Sequence, residues 1–456
     1  MQLLIIPEFD ISAYSADEGG IFREGPICLP VKKTIIGYTP TLRMKRNIIV
    51  SLFLLWCAFA AAQVTEWSPD DRVIRSGRDD GRYLSSYGVV HSMLSNIKPE
   101  CAFRPDMSRK EFGKWQKKVR KSMQEIMNFP KQPDNSPVPK RIHTVQRDGY
   151  RLEKWEYYPL PDCVSTFLVL IPDSLTKPLP AILCIPGSGG FKEELAGEPG
   201  VTANLDDDYR NPKVTMARNF AKAGYIAVAV DNPAAGEAAD LGQYGRGRNY
   251  NYDLVSRFLL EMGWSYLGYT VYLDMQVLEW MKSQSYIRRE RIVISGFSLG
   301  TEPLMVLGVL DPSIYAFVYN DFLCQTQERA LVMTVPDKNG TRTFPNSIRH
   351  LVPNFWHKFN FPDIVASLAP RPVILTEGGL DRDFDTIRRA YEISGYPSNV
   401  EMYHYPKFAD PQMRKKIDKL PEGLSRDEFF DMVNVDAPDH YFKSELVIPW
   451  LKKHLE

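Results

Sequence analysis

From about residue 68 to 129 apolar residues recur every three or four positions in a polar background. Phe112, Trp115, Val119 and Met123 would share one face of a helix. Pro130, Pro133, Pro137 and Pro139 then interrupt the pattern and predict a linker. Beyond it the period shortens. Segments 141–145 and 151–158 read as paired strands, and 164–171, 181–185 and 226–230 are apolar β-runs. Segment 217–223 is helical, and 254–283 is a long helical stretch broken near Gly263 or Gly268. A strand at 291–295 leads at once into a helix from Leu299. Further strands are predicted at 316–319, 373–376 and 400–405, and a last helix at 442–455.

Strands alternating with helices predict an α/β fold: a mostly parallel central sheet with helices on both faces, preceded by an N-terminal helical extension. In open sheets of this kind reactive groups sit on loops beyond the carboxyl ends of the strands. No internal repeat or low-complexity tract interrupts the pattern.

The start of the chain reads differently. Met44-Lys45-Arg46-Asn47 is followed by an apolar run, 48–62, that ends in Ala60-Ala61-Ala62 before Gln63. A basic start, a short apolar run and small residues at the end form a secretory signal. The run is shorter than the roughly twenty residues a spanning helix needs. Residues 44–62 are therefore expected to be a signal peptide and Met44 the initiator, with 1–43 an upstream extension. The remaining expected units are 63–139, helices and linker, and 140–456, the α/β domain, in a secreted or periplasmic protein.

Composition narrows the function. Fifty-six Lys+Arg balance fifty-six Asp+Glu, so the basic excess of a nucleic-acid binder is missing. Hydrophobic residues at 44% and aromatics at 12% support a real core. Six cysteines without a C-x-x-C pair indicate neither a disulfide scaffold nor a structural zinc.

The main chemical signal is Gly296-Phe297-Ser298-Leu299-Gly300, a G-x-S-x-G placed between a strand and a helix. That setting turns the backbone sharply and lifts a serine hydroxyl above the sheet. A hydroxyl is a poor nucleophile until a base takes its proton, and the base needs a carboxylate to orient it. Among the histidines after Ser298, His440 precedes the last helix, where the base of such a chain belongs. His404 falls inside a predicted strand and His454 in the terminal helix. For the acid, Asp381 follows a strand end and a glycine turn, with Asp383 and then Glu377 behind it. The backbone of Leu299 and of Ser188 or Gly189, in the loop Pro186-Gly187-Ser188-Gly189-Gly190, is expected to form the oxyanion hole. That loop lacks the sequence of a P-loop or of a dinucleotide site.

These residues resemble an α/β-hydrolase, and more narrowly the secreted bacterial branch of acetyl-xylan-esterase-like and dienelactone-hydrolase-like proteins. The resemblance runs through Pro186-Gly187-Ser188-Gly189-Gly190, Val230-Asp231-Asn232-Pro233-Ala234-Ala235-Gly236-Glu237 and the Ser298 motif. It continues through Leu368-Ala369-Pro370-Arg371-Pro372, Gly379-Leu380-Asp381 and His440, and covers about 140–456. Many relatives carry His-Gly where this chain has Pro186-Gly187. The resemblance implies a serine carboxylesterase that removes acetyl or other acyl groups from carbohydrate fragments, with no metal or organic cofactor. It also implies a small-molecule or oligosaccharide ester as partner.

Two other readings stand beside it. A uronate methyl or glucuronoyl esterase would place an Arg or Lys near Ser298, and a non-catalytic binding protein would have His440 far from Ser298. A peptidase of this fold would bring a β-propeller for which the chain is too short. The segment 322–369, with Trp356, His357, Phe359 and Phe361, is expected to cap the site. Asp206-Asp207-Asp208 and Arg246-Gly247-Arg248 read as solvated surface.

Overall fold

The computed structural model describes residues 80–456 except 84, 132, 200–209, 240–251 and 336–346. The segments 1–43 and 44–62, Asp206-Asp207-Asp208 and Arg246-Gly247-Arg248 lie outside the described residues. Residues 67–456 form one compact unit.

Nine strands form a single sheet in the order β1-β2-β3-β5-β4-β6-β7-β8-β9. They are β1 Lys140–Arg147, β2 Tyr150–Leu160, β3 Cys163–Pro172, β4 Leu179–Ile185, β5 Ile226–Val230, β6 Ile287–Phe297, β7 Ala316–Asn320, β8 Val373–Leu375 and β9 Val400–Met402. β1, β2 and β3 are antiparallel to one another, and β3 runs antiparallel to β5. Every pairing from β5 through β4 and on to β9 is parallel.

The two sequence textures have one cause. β5 and β7 are buried at every position, because helices cover both sheet faces and no side needs a polar residue. β1 is the opposite: an exposed edge carrying Lys140, Arg141 and Arg147, charges that discourage pairing with another chain.

One hydrophobic core lies on each face of the sheet. The helix Arg109–Met127 starts at a reciprocal Ser108–Glu111 capping box. It buries Phe112, Trp115, Val119 and Met123 in the same core as Leu304, Met305 and Leu368. Arg120 Nε also donates to the carbonyl of Val309 at 2.8 Å. The N-terminal helices and the sheet therefore share one interior.

The long helical stretch divides into Tyr252–Glu261 and Tyr266–Ser283, with Gly263 at φ 81° between them. A residue with a Cβ is strained in that left-handed region. Two expectations change at the far edge. The strand predicted at 400–405 stops at Met402, so His404 lies in a loop. A helix, Asp381–Ser394, follows β8 and places Asp381 at its first residue. The cysteines Cys101, Cys163, Cys184 and Cys324 are free thiols.

Candidate active site

Ser298 follows β6 directly and adopts φ 51°, a value uncommon for a residue with a side chain. Strain of this kind persists only where the surroundings impose it. A Cβ on Gly296 would lie 2.3 Å from the carbonyl oxygen of Gly300, and one on Gly300 would lie 2.4 Å from that of Ile185. Both glycines of the motif are thus contact points between backbones, which bend the chain tightly enough to present Ser298. Gly187 serves the next layer, since a Cβ there would meet Phe297 Cδ1 at 2.9 Å and Ser298 Cβ at 3.1 Å.

His440 comes from the loop before the helix Ser444–Leu455. Its ring stacks on that of Phe297, with centroids 4.7 Å apart and planes 22° apart. The loop is tied to the strands at three points. Tyr441 N–H donates to Glu377 Oε1 at 3.1 Å, Lys443 N–H to Asn320 Oδ1 at 2.8 Å, and Asn320 Nδ2 to the carbonyl of Tyr441 at 3.1 Å. His440 and Ser298 line the same cleft, of about 910 Å³.

The carboxylate beside His440 is not the expected one. Glu377, fully buried two residues beyond β8, places Oε2 2.5 Å from His440 Nδ1. Asp381 points elsewhere, with Oδ1 3.1 Å from both His404 Nε2 and Arg414 Nη1. Asp383 is buried and accepts from Gln325 at 2.9 Å, and burial pushes its carboxyl up to about 6. Of the three carboxylates expected as candidates for the acid, Glu377, the third, is the one bonded to His440, and Asp381 is bonded to His404 and Arg414 instead. The reason is geometric: a helix beginning at Asp381 turns that side chain toward His404, while Glu377 stays at the strand end.

A second acid, Asp321, directly after β7, was missed from the sequence. Ligand atoms of Asp321, Glu377 and His440 lie within 4.8 Å of one another. Burial pushes the Asp321 carboxyl up to about 7, against the pull of His440. For His440, burial opposes the charged form. The hydrogen bond and charge of Glu377, with Asp321 beyond, nevertheless hold its pKa above the ordinary imidazole value. These three groups could hold a metal ion. A metal on Nδ1 would, however, displace the short His440–Glu377 hydrogen bond.

The candidate oxyanion donors separate. Gly189 N–H donates to the Tyr252 hydroxyl at 2.7 Å, so it is engaged away from a substrate. Ser188 is exposed and lines the cleft together with Leu299. Asn232 braces the loop by donating to the carbonyls of Gly187 at 2.8 Å and Pro186 at 3.2 Å.

Beneath the loop, Lys192 is fully buried, with Nζ 2.6 Å from Asp231, 2.8 Å from Glu237 and 3.1 Å from Glu193. Burial opposes the Glu237 carboxylate, but Lys192 and hydrogen bonds from Lys154, Lys192 and Thr166 bring it down to about 2. This network ties the ends of β4 and β5 together.

The segment between β7 and β8 forms much of the cleft wall. Phe322, Arg329, Arg349, His350, Trp356 and His357 face the cavity, while Phe359 is wholly buried in the core. Trp356 Nε1 donates to Thr326 Oγ1 at 3.0 Å, which fixes one wall.

The chain is similar to several proteins of known structure. A Bacteroides fragilis NCTC 9343 protein, provisionally called an acetyl xylan esterase, is 70% identical, with a TM-score of 0.81 over 85% of this chain and 100% of that one. A methylesterase is 18% identical, with a TM-score of 0.46 over 71% of this chain and 64% of that one. A glucuronoyl esterase from Solibacter usitatus is 15% identical, with a TM-score of 0.46 over 66% of this chain and 88% of that one. A search of curated proteins finds no match. The Abhydrolase family profile matches residues 66–453, and the chain belongs to that family of α/β-hydrolases.

Proposed function

We propose that the protein is a serine carboxylesterase that removes acetyl or other acyl groups from carbohydrate fragments, and that it acts outside the cytoplasm. One observation carries this reading. A serine at positive φ and a histidine bonded through Nδ1 to a buried carboxylate line one cleft. The similarity to the Bacteroides fragilis protein supports an ester substrate.

In this reading His440 takes the proton of Ser298 as the hydroxyl attacks the ester carbonyl. The N–H groups of Leu299 and Ser188 hold the developing oxyanion. His440 then gives its proton to the leaving alcohol, and water hydrolyses the acyl-enzyme through the reverse arrangement. Glu377 holds the imidazole with Nε2 toward the serine and stabilises its charged form.

The experiment is hydrolysis of p-nitrophenyl acetate by the protein and by Ser298→Ala. Loss of several orders of magnitude in the variant is the expected result. Equal rates in both would sink the serine mechanism.

A second reading, cleavage of uronate methyl or glucuronoyl esters, called for a cation near the nucleophile. Arg349, in the same cleft as Ser298, favours it.

A further inference from the structure

The cleft holds a positive charge that the reaction on a neutral ester does not use. Arg329, Arg349 and Arg426 all line it. Among the described residues none of the three makes an ion pair; the neighbouring carboxylates are engaged elsewhere. Glu302 is 2.6 Å from His350 Nδ1, Glu328 pairs with Arg382, and Glu377 holds His440. Asp321, the remaining acid in the cleft wall, faces His440 and feels the charge of Arg329 from beyond ion-pair distance.

The arginines are held by other means. Arg349 Nη2 donates to Ser188 Oγ at 2.6 Å, and its guanidinium lies 4.8 Å from the centroid of the Tyr252 ring. Arg329 sits 5.4 Å from the Phe429 ring and Arg426 5.2 Å from that of Phe430. Aromatic faces position a guanidinium without neutralising it. Nε of Arg329 and of Arg349 is buried with no hydrogen-bond partner. A buried donor without a partner is costly, and a ligand oxygen would satisfy it. Three guanidiniums with no ion-pair partner in a concave site raise the local concentration of anions.

We propose that the substrate carries a free carboxylate beside its acyl ester, as in an acetylated, uronate-containing oligosaccharide, and that Arg349 binds that carboxylate. The guanidinium fork matches a carboxylate in two parallel hydrogen bonds. The bond from Arg349 to Ser188 sets this anion next to the oxyanion loop. The inference rests on the esterase reading and deepens it. It differs from the uronate-ester alternative, in which the carboxyl group is esterified and has no charge to offer.

The test compares kcat/KM of the full chain on three esters: p-nitrophenyl acetate, an acetylated xylo-oligosaccharide and an acetylated oligogalacturonide. The acidic substrate is expected to be preferred over the neutral oligosaccharide, and added salt should erode that preference. In Arg349→Gln the acidic-to-neutral ratio should fall by about ten- to a hundredfold, the loss of a hydrogen bond to a charged group. Arg349→Lys should retain part of it. A ratio indifferent both to salt and to Arg349→Gln overturns the proposal.

Failure of the esterase reading looks different, since the protein and Ser298→Ala would then turn over all three esters equally poorly. Calorimetric titration of Ser298→Ala with unacetylated oligogalacturonide and xylo-oligosaccharide reads the anion site in that case. Tighter binding of the acidic sugar supports the site, and equal or absent binding overturns it.

Discussion

The ring of His440 lies against the ring of Phe297, the residue immediately before Ser298. The proposed base is thus positioned by the turn that presents the proposed nucleophile, so a shift in one is felt by the other. We expect Phe297→Ala to lower kcat by roughly ten- to a hundredfold, since small misplacements of reacting groups have large effects. Phe297→Tyr should recover most of it. Steady-state kinetics with p-nitrophenyl acetate would check this, and an unchanged kcat in Phe297→Ala would remove the positioning role.

The choice between carboxylates is open to a direct comparison. Glu377→Gln should lower kcat by roughly three to four orders of magnitude, because the imidazole loses both its orientation and its counter-charge. Asp381→Asn should stay within about threefold of the parent, as that carboxylate serves His404 and Arg414 outside the cleft. The reverse pattern would return Asp381 to the acid's role.

The pH dependence follows from the charges around His440. The base works only when neutral, so activity should rise as pH climbs through its pKa. That pKa is raised, so the midpoint of the acid limb should lie above the usual imidazole value. Asp321 is one of the groups that raise it, and Asp321→Asn should therefore move the midpoint of kcat/KM to lower pH. An unmoved midpoint would show that Asp321 does not act on His440. Stability has its own sign. A histidine with a raised folded-state pKa contributes stability that is complete below its unfolded pKa and is lost as pH rises through the folded one.

The buried lysine supplies a test of the scaffold. Lys192→Met leaves Asp231, Glu193 and Glu237 facing one another without their cation. We expect a loss of about 3–5 kcal/mol in unfolding free energy, the usual effect of breaking a buried charge pair. Urea denaturation would measure it, and a change within about 0.5 kcal/mol would mean that the network relaxes without Lys192.

Much of the fold and of the cleft's lining is legible in the sequence, and the exceptions have physical reasons. Ser298 and His440 stood out because a strand–turn–helix and a loop before the last helix are local patterns. Glu377 ranked third because Gly378-Gly379 drew attention to the aspartate beyond them. The sequence also carries a pattern that favours Glu377: Phe384, Ile387, Ala390 and Tyr391 recur at helical spacing, which makes Asp381 the start of a helix. Asp321 and Arg349 had no such signal. Each matters for what the fold brings beside it, His440 in one case and Ser188 in the other, and no local pattern encodes that proximity. The bond from Gly189 N–H to the Tyr252 hydroxyl likewise has no local signal, since Tyr252 lies far along the chain.

The close backbone contacts of Gly296 and Gly300 limit where this cleft can change. With the elbow and the oxyanion loop touching backbone to backbone, that half of the cleft is nearly frozen: most side chains added at those two positions would force the chains apart. The wall from Arg349 to Trp356 is held by side-chain hydrogen bonds rather than by backbone contact. Substitutions along that wall can therefore change which ester enters the cleft while leaving the turn that presents Ser298 intact.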